Sequence, residues 1–222
     1  MAQLPDYKDL GTIELYQPSR LEDLKMLYHA FFAGCNLSVM REEIEWHHAV
    51  GQYEPDRDFR FTYLYYNEAG SPCGYLIYSK ITDEKQTVTM NCHEFVYSDI
   101  EGLMGLIHFC KSRQAYYDRV CIPLPDFVPF DLLCLEFNLP AGRAATIHQI
   151  MHGMVRVVHA EEVLKAAQYL GNGSIRLFLN DSWLPANSGL WELDWKEGRY
   201  SSLHYNADGS ETQALSLIHI SE

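Results

Sequence analysis

The chain reads as an α+β protein, with a mixed sheet and flanking helices over residues 1–150 followed by a partial α/β domain over 151–215. Three observations predict this. Between residues 60 and 97, runs of aromatic and aliphatic residues alternate with turn composition, as in a three-stranded meander. The last of those runs feeds directly into a helical pattern. After Ala141–Ile150 the composition changes and a strand and helix pattern restarts, which places a domain boundary near Ile150.

Thr12–Tyr16 alternates like a short strand, and Pro18-Ser19 opens a helix. Ser19 followed three residues later by Glu22 has the spacing of a capping box, and Leu21, Leu24, Leu27, Tyr28 and Phe31 recur at helical spacing up to Gly34. Met40–Val50 carries a second helix with Ile44 and an exposed pair, His47-His48. Adjacent residues on a helix face different directions, so these two imidazoles are solvated side chains rather than a joint metal site.

Arg60–Tyr66 and Gly74–Ser79 are aromatic strands joined by the turn Asn67–Pro72. A polar break at Asp83-Glu84-Lys85 leads into the strand Thr87–Tyr97, then the turn and helix Ser98–Cys110. Asp118–Leu124 is a further strand, ended by Pro123, Pro125 and Pro129. In the second domain the expected elements are a strand Met154–Val158, a helix Ala160–Tyr169, and strands Ser174–Leu179, Leu190–Trp195 and Arg199–Tyr205, with a long polar turn Asn180–Gly189. Ser216–Glu222 resembles a translated sequencing adapter, so residues 216–222 are expected to be a non-native tail of a truncated reading frame.

Thr87–Arg113 is the stretch the rest is organised around. A strand-turn-helix exposes unpaired amides at the first helical turn and so suits a diphosphate. Here Asp99 and Glu101 occupy that turn with no Arg or Lys between them. Each carboxylate takes the helix dipole for itself, an effect of roughly 0.3 to 1 kcal/mol, and repels a second anion. The unit is expected to be a scaffold copy of a nucleotide-binding one.

Other candidates carry less. Gln168-x-x-Gly171-x-Gly173 matches an acyl-CoA loop pattern, but it follows a helix and precedes a strand, so carbonyls would face the anion and Gly171 is expected to be a helix stop. His148 and His152 have i, i+4 spacing but lack the glutamate of a metalloprotease motif, and Gly153 breaks the helix. Cys110 with His108, and Cys92 with His93, are expected to be packing residues, since strand neighbours point to opposite faces. Trp183, Trp191 and Trp195 could line a sterol or acyl cavity, with core packing as the default reading. No residue is assigned a catalytic, cofactor-binding or metal-binding role.

Formal charge is −13, from 17 Lys plus Arg against 30 Asp plus Glu. That disfavours nucleic acid and anionic membranes and favours cationic small molecules. The apolar share of 47% and aromatic share of 13% fit a folded domain rather than a disordered one. Six cysteines stand singly with no C-x-x-C pair, the usage of buried reduced thiols in a cytoplasmic protein. No apolar run approaches the length of a membrane span, and Met1–Leu10 is no secretory signal.

The element order, with a meander's last strand feeding a helix and a further strand, is the layout of the GNAT acetyltransferase fold. Met154–His159, Val163-Leu164, Gly173–Asp181 and Asn187–Leu193 look like the start of the sterol-carrier-like C-terminal domain of the Eis (enhanced intracellular survival) family of GNAT N-acetyltransferases. Glu14–Phe137, including Arg41, Trp46 and Gly74–Tyr78, resembles the same family's central GNAT-like domain. His159 stands where that family commonly has Asp.

The resemblance implies that the chain begins after a catalytic N-terminal domain and stops inside the third. The acetyl-CoA loop, catalytic Tyr and terminal carboxylate would lie outside it. Expected function is then the scaffold and acceptor-side wall of an acetyl-CoA-dependent N-acetyltransferase, with a small-molecule or protein amine as acceptor and homo-oligomers possible. No cofactor is expected to bind this chain itself. Two other readings stand beside this: a sterol or fatty-acyl binding module without catalysis, and a working acyl-CoA site at Ser98–Gly105.

Overall fold

The computed structural model describes residues 11–36, 38–51, 59–125, 128 and 155–208, with the backbone of 216–220. These residues divide into two compact units. His148, His152, Met154 and the boundary expected near Ile150 lie outside the described residues.

The first unit is a five-stranded sheet in the order β1-β2-β3-β4-β5, formed by Thr12–Leu15, Arg60–Tyr66, Pro72–Thr82, Val88–Tyr97 and Arg119–Cys121. All neighbours are antiparallel except β4 and β5, which run parallel, as a helical crossover requires. Helices α1 (Leu21–Phe32) and α2 (Glu43–Val50) precede β2, and α3 (Ile100–Ser112) joins β4 to β5. This is the mixed α+β sheet with flanking helices that the sequence predicts.

β3 reads as a continuous apolar run because both its faces are covered. Leu76 and Tyr78 pack with Tyr65, Met90, Cys92 and Phe95 against Leu103, Leu106, Ile107 and Cys110 of α3. Tyr75 and Ile77, of opposite parity, pack with Leu64, Tyr66 and Val96 against Leu24, Leu27 and Tyr28 of α1 and Trp46 of α2. Two glycines let α3 approach closely. A Cβ at Gly105 would stand 2.4 Å from the Tyr65 ring, and one at Gly102 would stand 2.1 Å from the Cys73 carbonyl oxygen.

The first helix starts differently from its sequence expectation. Pro18–Arg20 forms a 3-10 turn, α1 begins at Leu21, and no side chain caps it. Ser19 sits inside the tight turn that Pro18 opens, and Glu22 accepts from Lys25 Nζ at 2.8 Å instead. The returning carboxylate belongs to α2, where Glu45 Oε2 accepts the Glu42 N–H at 2.8 Å. That helix starts at Glu43 rather than Met40, with His47 and His48 exposed as expected.

The second unit holds α4 (Ala160–Ala166) and a four-stranded sheet ordered β8-β7-β6-β9, from Gly173–Asp181 (β6), Gly189–Lys196 (β7), Arg199–Asn206 (β8) and Ser216–Ile220 (β9). β9 runs parallel to β6, from Leu177↔Ser216 to Asp181↔Ile220. Its small core includes Ala160, Leu179 and Trp191, with Val157, Leu164, Leu177 and Leu203 packed against them.

Two expectations fail here. Val155–Val158 is not a strand, and Val155 and Val158 are exposed. Its backbone is held by a side chain of the 3-10 turn Pro185–Asn187 rather than a ladder: Asn187 Nδ2 reaches the Val157 and Val158 carbonyls at 3.4 Å, and Asn187 Oδ1 accepts the Ala160 N–H at 3.0 Å. The helix ends at Ala166, not Tyr169, because Ala167 is already extended and the Tyr169 N–H donates to the Gly198 carbonyl at 2.8 Å.

Candidate functional site

The strand-turn-helix from β4 into α3 is the candidate. Asp99 takes the extended backbone of an N-cap, and its Oδ1 accepts the Gly102 N–H at 2.8 Å. Ser98 N donates to the Cys73 carbonyl at 2.9 Å, and Ser98 Oγ lies 3.0 Å from Asp99 Oδ2. Gly102 is seated on that same Cys73 carbonyl, so the inner side of the first turn is filled by β3 backbone. Glu101 Oε1 lies 3.5 Å from the Tyr65 hydroxyl. A third-position amide that would face a phosphate is thus held by a carboxylate, with a second carboxylate beside it and the first cation of the helix, Lys111, in its last turn.

Beyond this turn, β4 pairs with β5 only at Thr89, Met90 and Asn91. A register shift follows: Ile77 pairs with Glu94 and Tyr78 with Cys92, leaving His93 as the extra residue of a bulge. His93 is exposed, and its Nε2 lies 2.9 Å from Ser79 Oγ. Cys92 faces the opposite side, in the core with Cys110. A hydrogen bond to Cys110 and burial hold the Cys92 thiol well above the ordinary range, the reverse of what a nucleophile needs. Cys92 and Cys110 are both buried in this core.

The bulge places one group that the sequence did not signal. Glu94 Oε1 pairs with Arg41 Nη2 at 2.8 Å, and Glu94 Oε2 accepts from the Tyr75 hydroxyl at 2.7 Å. The Arg41 guanidinium lies 4.5 Å from the Tyr28 ring centre and 4.8 Å from that of Trp46. The two charged side chains are only 18% and 15% exposed. Burial lowers the Arg41 pKa, but the bond and charge of Glu94 outweigh it and raise it overall. Burial, then Glu94, holds the Tyr75 phenol well above its usual value. The ion pair pins the segment before α2 onto the sheet.

Residues 37–157 match the family of the acetyltransferase (GNAT) domain, a span of more than half the chain. The chain belongs to the GNAT acetyltransferase family. No curated protein matches it. A conserved protein of unknown function from Enterococcus faecalis V583, described as a probable N-acyltransferase, is 17% identical over 97% of this chain and 52% of its own, with a TM-score of 0.67. A GCN5-related N-acetyltransferase from Anabaena variabilis ATCC 29413 is 16% identical over 94% of this chain and 51% of its own, at 0.69. One from Kribbella flavida is 17% identical over 90% and 46%, at 0.63. At these identities the likeness is one of fold. The chain spans about half the length of these three proteins.

Most of the second unit lies outside the GNAT match. The Gln168–Gly173 pattern does not form an anion loop there. Gly171, at φ +60°, sits in a turn where its carbonyl accepts the Gly198 N–H at 2.9 Å and Asn172 Oδ1 accepts the Glu197 N–H at 2.7 Å. It does not stop the helix, which ended at Ala166; it shapes the turn against β7 and β8. Trp195 stacks on Tyr169 with ring centres 5.1 Å apart and donates to the Leu170 carbonyl. Trp191 is core, donates to the Asn187 carbonyl and packs against Tyr205, while Trp183 is exposed. The first two indoles thus have packing roles, and nothing in their placement favours a lipid cavity.

Asp181 is the polar hub of this unit. Fully buried, it pairs with Arg156 Nη2 at 2.5 Å and accepts the Trp183 and Leu184 amides at 3.0 Å. Burial pushes its pKa up, but the Leu184 amide, Asn187, the Trp183 amide and Arg156 together hold it below the ordinary value. His159, at the N-cap of α4, makes no side-chain capping bond. Among the described residues no group of His, Cys, Asp and Glu is arranged for a metal, and no helix is long and apolar enough to cross a membrane.

Proposed function

We propose that this chain is the non-catalytic GNAT-like domain, with the start of a sterol-carrier-like domain, of an Eis-type acetyl-CoA-dependent N-acetyltransferase. It supplies scaffold and part of the acceptor-side wall. The observation that carries this reading is the Gly102 amide bonded to Asp99 at 2.8 Å on a helix start packed against Cys73. A diphosphate there would have to displace a carboxylate and face Glu101, while the helix itself offers Lys111 only in its last turn.

The described residues do not fit the cofactor at this turn, so no transfer step is assigned to them. Support for the parent activity comes from the family and from the probable N-acyltransferase of Enterococcus faecalis, about half of whose length the chain matches. The acceptor is a cationic amine, consistent with a formal charge of −13. Five described cysteines, all free, suit the cytoplasm.

Isothermal titration of acetyl-CoA into this chain tests the reading. No saturable heat is expected. Micromolar binding would make Ser98–Gly105 a working site and overturn the scaffold role.

A further inference from the structure

We draw no further inference here: the strongest candidate, the open groove on the second sheet where Arg176, Glu192 and His204 stand in one cross-strand row, carries nothing because those three side chains are exposed and the cation and carboxylate stand at the same rung, so the groove selects no one class of ligand.

Discussion

Asp99 and Gly102 are joined at 2.8 Å, carboxylate to amide, across the first turn of α3. The bond both caps the helix and occupies the donor that an anion would use. Replacing Asp99 with Ala removes it, and the cost expected is about 1 kcal/mol, the usual worth of an N-cap. Urea denaturation of the two proteins measures this; an unchanged midpoint would show that the cap is not stabilising.

Gly102→Ala tests the packing beneath that turn. A methyl group 2.1 Å from the Cys73 carbonyl oxygen cannot be accommodated without moving helix or strand. A loss of roughly 1 to 3 kcal/mol is expected, as for other overpacked sites. Gly34→Ala, where nothing lies within 4 Å of the added carbon, serves as the control and should leave the denaturation midpoint within about 0.5 kcal/mol of the parent.

The Arg41 and Glu94 pair should behave as a unit. Removing one partner, in Arg41→Met or Glu94→Gln, leaves a largely buried charge or acceptor uncompensated, at a cost of about 3 kcal/mol. The double variant should cost clearly less than the two single losses added together. Strict additivity in chemical denaturation would mean that the 2.8 Å contact contributes nothing.

Acid should loosen the second unit through Asp181. A carboxyl whose folded pKa lies below its unfolded one stabilises the fold above about pH 4, and that contribution fades as pH falls through the folded value. Tryptophan fluorescence followed from pH 6 down to pH 2 should show a transition that is weaker in Asp181→Asn. An identical acid profile in the two proteins would remove Asp181 from the account.

Thiol labelling distinguishes the cysteines. Cys121 is exposed and should react with iodoacetamide in the folded protein, whereas Cys73, Cys92 and Cys110, all buried, should react only after unfolding. Peptide mass spectrometry reads each site. Native labelling of Cys92 as fast as Cys121 would contradict the packing described.

Local pattern made much of the first sheet legible. Arg60–Tyr66 was readable to the residue because its aromatic run is bounded by an unmistakable turn at Asn67–Pro72. The existence of α3 was readable because Asp99 precedes a long apolar run, though the helix continues to Ser112, two residues past the expected Cys110. The contact between Arg41 and Glu94 was not legible: it depends on a bulge at His93 and on two elements meeting across 53 residues of chain. Val155–Val158 reads as a strand by its branched residues, yet Asn187, in a 3-10 turn about 30 positions later, bonds the Val157 and Val158 carbonyls instead. Ser19 and Glu22 have the spacing of a cap, but Ser19 falls in the 3-10 turn that Pro18 opens and Glu22, in the first turn of α1, pairs with Lys25. The closed helix start was half readable: the acids at 99 and 101 are in the sequence, while the seat of Gly102 on Cys73 is a tertiary fact.

The most direct measurement is the backbone amide spectrum of Ile100–Gly105 during titration with coenzyme A. With the Gly102 N–H already bonded to Asp99, those signals should stay in place at millimolar ligand. Saturable shifts centred on Glu101 and Gly102 would show a diphosphate bound at this helix start and would contradict the scaffold reading.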